Sequence, residues 1–238
     1  MSKNVKKYII ISLMLLGPGL VLVFLSSANH QFKYLPYYGL KEDTVITRNG
    51  VDYVDTIYHT IPYFEFTNQD GKIVTQKDYK DKIVVVDFFF TSCPSICPVM
   101  SKQMSTLLWK LEDDSYKDVK FLSHTVNPTY DTPTVLKKYG EKYDADFSRW
   151  TFVTGDQEKI FKQGFNGYLL STQVDSTALG GFLHSPMFVL IDKQQHIRGF
   201  YDGTVTKEVD DLVIDIKMLL KEEKTEKKKA KDLAEKNG

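Results

Sequence analysis

Residues 83–90, Ile83-Val84-Val85-Val86-Asp87-Phe88-Phe89-Phe90, form an apolar run broken by one acid, and lead into Thr91-Ser92-Cys93-Pro94-Ser95-Ile96-Cys97-Pro98. Such a run reads as a strand covered on both faces, because a half-exposed strand would alternate polar with apolar residues. Met100, Met104, Leu107, Leu108 and Leu111 then follow helical spacing. The cysteines, of which the chain has 2, therefore stand where a core strand gives way to a helix. An i, i+4 pair shares a helix face with Cβ atoms about 5–6 Å apart. The thiols can converge on one metal ion or close a disulfide. The bland alternative is two thiols that simply pack. Pro94, Pro98 and the position at a strand end, where ligand sites gather in open α/β sheets, favour chemistry.

Further signals set the architecture. Thr44-Val45-Ile46 and Val51-Asp52-Tyr53-Val54 flank Asn49-Gly50, a hairpin turn. Ile61–Phe66 and Lys72-Ile73-Val74 flank Asn68–Gly71 and read as a second hairpin leading to the central strand. Val119–Val126, Trp150–Thr154, Met187–Ile191 and Ile197–Tyr201 read as strands, the last two paired around Asp192–Gln195. Asp131-Thr132-Pro133 opens a helix through Tyr143, a capping residue ahead of an early proline. Another helix starts at Asp156 and carries Ile160, Phe161 and Phe165; a last one starts near Thr206. The order specifies an α/β fold with a mixed central sheet. A cysteine motif opening the first helix after a core strand makes it thioredoxin-like.

Tyr8 to Leu25 carries no charge, follows Lys3, Lys6 and Lys7, and precedes Ser26-Ser27-Ala28-Asn29. As a helix it spans about 27 Å, enough for a thin bilayer. The lysines favour a cytoplasmic N-terminus. A single transmembrane helix preceding the domain is the first reading, with lipid contact through residues 8–25. A cleaved signal ending at Ser26-Ser27-Ala28 is the second. A buried helix is disfavoured by Gly17-Pro18-Gly19. No cysteine follows the run to carry a lipid, and the start is neither Arg-rich nor Ser-rich in the manner of a transit peptide. The expected location is a bacterial inner membrane, with the globular part on the extracytoplasmic (periplasmic) side. Charge is balanced, 31 basic against 31 acidic residues, so nothing points to nucleic acid. In an oxidising compartment a lone cysteine pair would normally be a structural staple. A loop this short removes little chain entropy, so redox or metal chemistry accounts for it better.

His30, His59, His124, His184 and His196 are the candidates for a third ligand. His184 follows Gly180-Gly181-Phe182-Leu183, which reads as a flexible loop, and precedes Ser185-Pro186 and a core strand. In a thioredoxin-like fold that loop lies beside the cysteine turn. His196 falls in a hairpin turn, His30 and His59 in the N-terminal segment, and His124 in a strand, where core packing is the better reading. Zinc prefers four ligands, whereas copper accepts three and copper(I) favours thiolate, so copper outranks zinc. Met100 and Met104 offer thioethers but read as core.

The run Val86–Pro98 resembles the Sco/SenC family of membrane-anchored copper chaperones. The resemblance continues through Ile61–Gly71, Thr125-Val126-Asn127-Pro128-Thr129-Tyr130-Asp131-Thr132-Pro133, His184–Asp192 and Tyr201-Asp202-Gly203. It implies a thioredoxin-fold domain that binds copper, as Cu(I), Cu(II) or both, through Cys93, Cys97 and His184, with Cys93 and Cys97 as a redox disulfide. It also implies delivery of copper to, or reduction of cysteines at, the binuclear copper site of a cytochrome c oxidase subunit. The further partners it implies are other copper carriers or thioredoxin-like reductants. Asn127-Pro128 stands where the family often has Asp-Pro, although Asp131 is in place. The expected division is an anchor or signal at 1–28, a linker and hairpin segment at 29–54, the Sco domain at 55–220 and a charged tail at 221–238, a fraying helix or disordered, with almost nothing to bury.

Two function classes compete. A metallochaperone needs an accessible three-coordinate site that an incoming ligand can attack. A thiol–disulfide oxidoreductase acting on envelope protein cysteines needs a nucleophilic thiolate, which a helix N-terminus supplies, but has no need of His184. Copper handling is the leading reading, and the protein is not expected to be an enzyme beyond an accessory thiol–disulfide reductase activity. A peroxidase is weaker still, since no arginine lies near Cys93 in sequence. Thioredoxin-like folds also commonly hold a cis proline where Pro186 stands, which would aim His184 at the sulfurs.

Overall fold

A computed structural model describes residues 5–8, 12, 14, 17–19, 34–48, 50–170, 172–174 and 182–237, with backbone alone at 48, 172–174, 182–184, 236 and 237. The chain divides into two units, Met1–Tyr34 and Leu35–Gly238. In the first unit, residues 5–8, 12, 14 and 17–19 are helical. Most of the expected anchor, Ser26-Ser27-Ala28 and His30 lie outside the described residues. Among the described residues no helix is long and apolar enough to cross a membrane.

The second unit runs in chain order β1 (Lys41–Arg48), β2 (Val51–Tyr58), β3 (Glu65–Asn68), β4 (Ile73–Thr75), β5 (Ile83–Phe89), α1 (Ile96–Lys110) and β6 (Val119–Thr125). It continues with α2 (Pro133–Lys142), β7 (Trp150–Thr154), α3 (Gln157–Lys162), β8 (Thr172–Val174), β9 (Phe182–His184), β10 (Met187–Ile191), β11 (Ile197–Asp202) and α4 (Thr206–Asn237). Seven strands form one sheet in the order β11-β10-β5-β6-β7-β3-β4. β5, β6 and β7 are parallel, while β10, β11, β3 and β4 pair antiparallel with their neighbours. This is the mixed sheet expected from the element order. All of β5 is buried, because strands border both its edges and helices or loops cover both faces. Met100, Met104 and Leu107 are fully buried and seat α1 on the core. Each such side chain contributes about 1.5–3 kcal/mol relative to leaving it exposed.

Several elements differ from expectation for local reasons. The first hairpin is longer, with β2 running to Tyr58 across the 54/55 boundary. Cross-strand bonds from Thr47 Oγ1 to Asp52 Oδ1 (2.6 Å) and Thr56 Oγ1 to Asp43 Oδ1 (2.9 Å) extend its ladder. Asp156 caps α3 by accepting from the Lys159 N–H at 2.9 Å. A π-helical turn at Gln163–Gly167 then widens the helix and changes its phase, leaving Phe165 66% exposed. The segment ahead of Pro186 is not wholly loop: Phe182–His184 pair with Thr172–Val174 as a short antiparallel hairpin. No peptide bond is cis among the described residues, so Ser185–Pro186 is trans. In that form the Pro186 carbonyl accepts from the Gly203 N–H at 2.8 Å, tying the start of β10 to the end of β11.

The expected tail is helical. α4 continues through its lysines, glutamates and alanines, all strong helix formers. Its first turn past Leu220 is anchored, because Glu222 is 5% exposed. Glu222 Oε2 binds Arg198 Nη2 at 2.8 Å, and Asp192 Oδ2 binds Arg198 Nη1 at 3.1 Å. The same guanidinium donates to the carbonyls of Leu35 (2.6 Å) and Pro36 (3.1 Å), and the Leu35 N–H donates to Glu222 Oε1 at 2.6 Å. One buried cation thus fastens the start of the domain to β11 and α4.

Candidate metal centre

β5 ends at Phe89 and the chain turns at once, the Cys93 N–H donating to the Phe90 carbonyl at 3.2 Å. α1 therefore begins only at Ile96, with Ser95 as its N-cap. Cys97 sits in the first helical turn and Cys93 in the loop before it, so the pair does not share a helix face as the i, i+4 spacing implied. The sulfurs are brought together by capping. Ser95 supplies no side-chain cap; instead the Cys93 sulfur accepts from the backbone N–H groups of Cys97 and Ser95 and is hydrogen-bonded to the Cys97 thiol. The Ser95 hydroxyl lies 3.8 Å from Cys93 Sγ. Pro98 fits here because a proline in the first turn sacrifices no helical bond. No disulfide joins the pair.

Their environments separate the two thiols. Burial raises the Cys93 thiol, but the Cys97 and Ser95 amides, with their side chains, outweigh it and hold the thiol below its ordinary value. Burial pushes the fully buried Cys97 thiol well up, and the neighbouring Cys93 and Asp87 charges add to this. The Phe90 N–H, donating to the Cys97 sulfur, opposes the rise.

Asp87, which the sequence marks only as the break in an apolar run, is itself buried. Its Oδ1 accepts from Ser123 Oγ at 2.5 Å, and Ser123 Oγ accepts from Trp150 Nε1 at 2.8 Å. Burial pushes its carboxyl up to about 7 against the Ser123 bond.

Three histidines are held by other partners. His124 is stacked on Phe88, ring centroids 5.0 Å apart, and its Nε2 lies 3.2 Å from the Tyr168 hydroxyl. Burial lowers its pKa to about 3, so it is a neutral core side chain. His59 Nε2 binds the Gly167 carbonyl at 2.8 Å. His196 packs edge-on to Tyr37 and lies 3.4 Å from Asp192. His184 ends β9, opposite Thr172, and its side chain lies outside the described residues. β10 pairs Val189 with Val86 and Ile191 with Val84. That antiparallel register carries the start of β10 to the end of β5 that leads into the cysteine turn. Among the described residues no group of three histidine, cysteine, aspartate or glutamate side chains could hold a metal ion. Those residues do supply two adjacent sulfurs, a donor set suited to a soft ion.

Comparison with known proteins gives consistent matches. The family model described as SCO1/SenC matches residues 55–221. The SCO1 protein homolog of Bacillus subtilis is 30% identical over 172 residues, 71% of this chain and 86% of the relative. Among solved structures, BsSco, a member of the Sco family of cytochrome c oxidase assembly proteins in which a disulfide switch was identified, aligns with TM-score 0.60 and 30% identity. That alignment covers 68% of this chain and 94% of the other. Arabidopsis thaliana ScoI with copper bound aligns with TM-score 0.56 and 25% identity over 66% of this chain and 98% of its own.

Proposed function

Because the chain belongs to the SCO1/SenC family, we propose that it is a copper-binding protein of cytochrome c oxidase assembly, not an enzyme, with copper as its cargo. The adjacent Cys93 and Cys97 sulfurs at the end of β5 carry this reading. Both serve as ligands and the His184 imidazole completes a three-coordinate site. Burial keeps water from competing at Cys97, while Cys93, 7% exposed, is where an incoming ligand begins exchange. The receiving site is the binuclear copper site of an oxidase subunit, and the domain works outside the cytoplasm of a bacterial cell, held at the membrane through residues 8–25.

The test is Cu(I) titration of the full chain in detergent. One copper per chain is expected, and Cys93→Ala, Cys97→Ala and His184→Ala should each lose most of the affinity, while His59→Ala retains it. Full affinity in His184→Ala would overturn the ligand assignment. Copper bound stoichiometrically by the Cys93–Cys97 disulfide form would overturn the role of the sulfurs. Membrane attachment predicts that the protein stays with the membrane fraction at high salt and high pH.

A second reading, thiol–disulfide exchange on partner cysteines, is favoured by the contrast between the lowered Cys93 and raised Cys97 thiols. Catalytic reduction of a disulfide peptide by the copper-free protein would establish it. The two activities need the same sulfurs and therefore exclude each other at any one moment.

A further inference from the structure

Asp131 is fully buried, yet its carboxylate has no cation beside it among the described residues. What it has is three hydrogen bonds. Oδ2 accepts from the Thr91 N–H at 3.2 Å and from Thr125 Oγ1, and Oδ1 accepts from Thr91 Oγ1. The acid stands just ahead of Thr132, the N-cap of α2. Thr125 ends β6, and Thr91 lies two residues before Cys93. Thr125 Oγ1 also accepts from the Asn127 N–H at 3.0 Å, which fixes that hydroxyl's direction toward the carboxylate. One side chain thus joins three segments, and one of them is the turn that carries the cysteines.

The junction held by Asp131 is also the one that serves the sulfurs. The Phe90 N–H donates to the Cys97 sulfur, and the Phe90 carbonyl accepts from the Cys93 N–H. Asp131 grips that same Phe90–Thr91 peptide unit through its Thr91 N–H, and the Thr91 hydroxyl beside it, while the Phe90 N–H lies in the preceding unit. A peptide plane fixed on one side of a Cα limits the rotation of its neighbour, since only two backbone dihedrals lie between them. Charge-assisted hydrogen bonds are roughly twice as strong as neutral ones, and a buried carboxylate deprived of its donors is costly. The grip is therefore stiff.

We propose that Asp131 is a positioning residue for the cysteine turn: through Thr91 it holds the Phe90–Thr91 junction so that Cys93 and Cys97 keep the approach and amide contacts of the reduced, metal-accepting form. This rests on the reading of those two sulfurs as the working groups. Releasing the clamp withdraws amide donors from sulfurs that carry charge when they hold metal. It leaves the disulfide, which carries none, comparatively unaffected.

The test uses the full chain in detergent and three readouts: Cu(I) affinity by chelator competition, the Cys93–Cys97 thiol–disulfide equilibrium in glutathione buffers, and the urea midpoint. Asp131→Asn and Thr91→Val should each lower Cu(I) affinity at least tenfold. Each should also move the equilibrium about tenfold toward the disulfide, a potential more negative by about 30 mV for this two-electron couple. The double variant should be no worse than the worse single one, since the hydroxyl bond that Thr91→Val removes is one of those that Asp131→Asn already weakens. Thr91→Ser, which keeps the hydroxyl, should behave as the parent. Thr125→Val removes a bond to Asp131 without touching the cysteine turn; it should lower the urea midpoint while leaving copper affinity within twofold. Parent-like affinity and equilibrium in Thr91→Val, or an equal loss in Thr125→Val, would overturn the proposal. If the parent chain binds no copper, the copper reading fails by itself, and the glutathione equilibrium still decides the clamp.

Discussion

Asp87 and His124 sit on adjacent strands, both buried, and burial moves them in opposite directions, to about 7 and about 3. Burial favours the neutral form of each. For Asp87 the folded pKa lies above the unfolded one, so its stabilising contribution is complete below about pH 4 and is lost as pH rises to about 7. For His124 the folded pKa lies below the unfolded one. Its contribution is complete above about pH 6.5 and is lost as pH falls toward 3. Each changes stability by up to about 1.4 kcal/mol per pH unit, so between pH 4 and 6.5 they largely cancel. Asp87→Asn should therefore unmask a loss of stability on acidification, and His124→Phe a gain, in urea midpoints measured across that window. Parallel pH profiles for both variants and the parent would contradict the assignment. Cys93 and Cys97 are legible from sequence because two thiols at a strand–helix junction announce chemistry locally. Asp131 is legible as a position before a helix and as part of the turn that resembles the family, but not as a clamp. Its meaning depends on Thr91 and Thr125, which come to it from separate strand ends.

Among the elements, α4 shows where composition misleads. From Lys221 onward it reads as a charged tail, because lysine and glutamate are counted as solvated. Whether Glu222 faces water depends on helical phase and on Arg198, 24 residues upstream. The structure separates two parts of that segment. Ending the chain after Thr225 should leave the urea midpoint almost unchanged, since among the described residues it removes exposed turns and surface pairs of little worth. Glu222→Gln should cost about 2–3 kcal/mol, less than the 3–5 of a fully broken buried pair because Asp192 still neutralises Arg198. A Glu222→Gln protein as stable as the parent would show that the pair is dispensable. The π-helical turn after Lys162 and the β8–β9 hairpin were illegible for a similar reason. A one-residue change of helical phase and a three-residue strand leave no periodicity to read. The trans bond at Pro186 corrects an expectation taken from the habits of the fold, one that the residues around Pro186 do not compel.

At the scale of the molecule, stability is unevenly spread. β5 and β6 pair over seven residues in the interior of the sheet. The β1–β2 hairpin is a separate two-stranded sheet with Val45, Val54 and Ile57 exposed. Isolated hairpins are at best marginally stable, and exchange protection follows burial. Amides of Lys41–Tyr58 should exchange by local opening, orders of magnitude faster than those of Ile83–Phe89, in a native-state hydrogen-exchange experiment. Equal protection would mean that something covers the hairpin in solution. Leu35 presents the opposite case. It is gripped at both its N–H and its carbonyl, at the β11 edge of the sheet. Any pull arriving along the chain from upstream meets that grip first and passes through Arg198 into β11 and α4. Arg198 lies level with the start of β5, so the cysteine turn stands two strand spacings, about 10 Å, across the sheet and about 20 Å along it from this grip. The sulfurs thus stand at the end of the sheet remote from the point where such a pull enters.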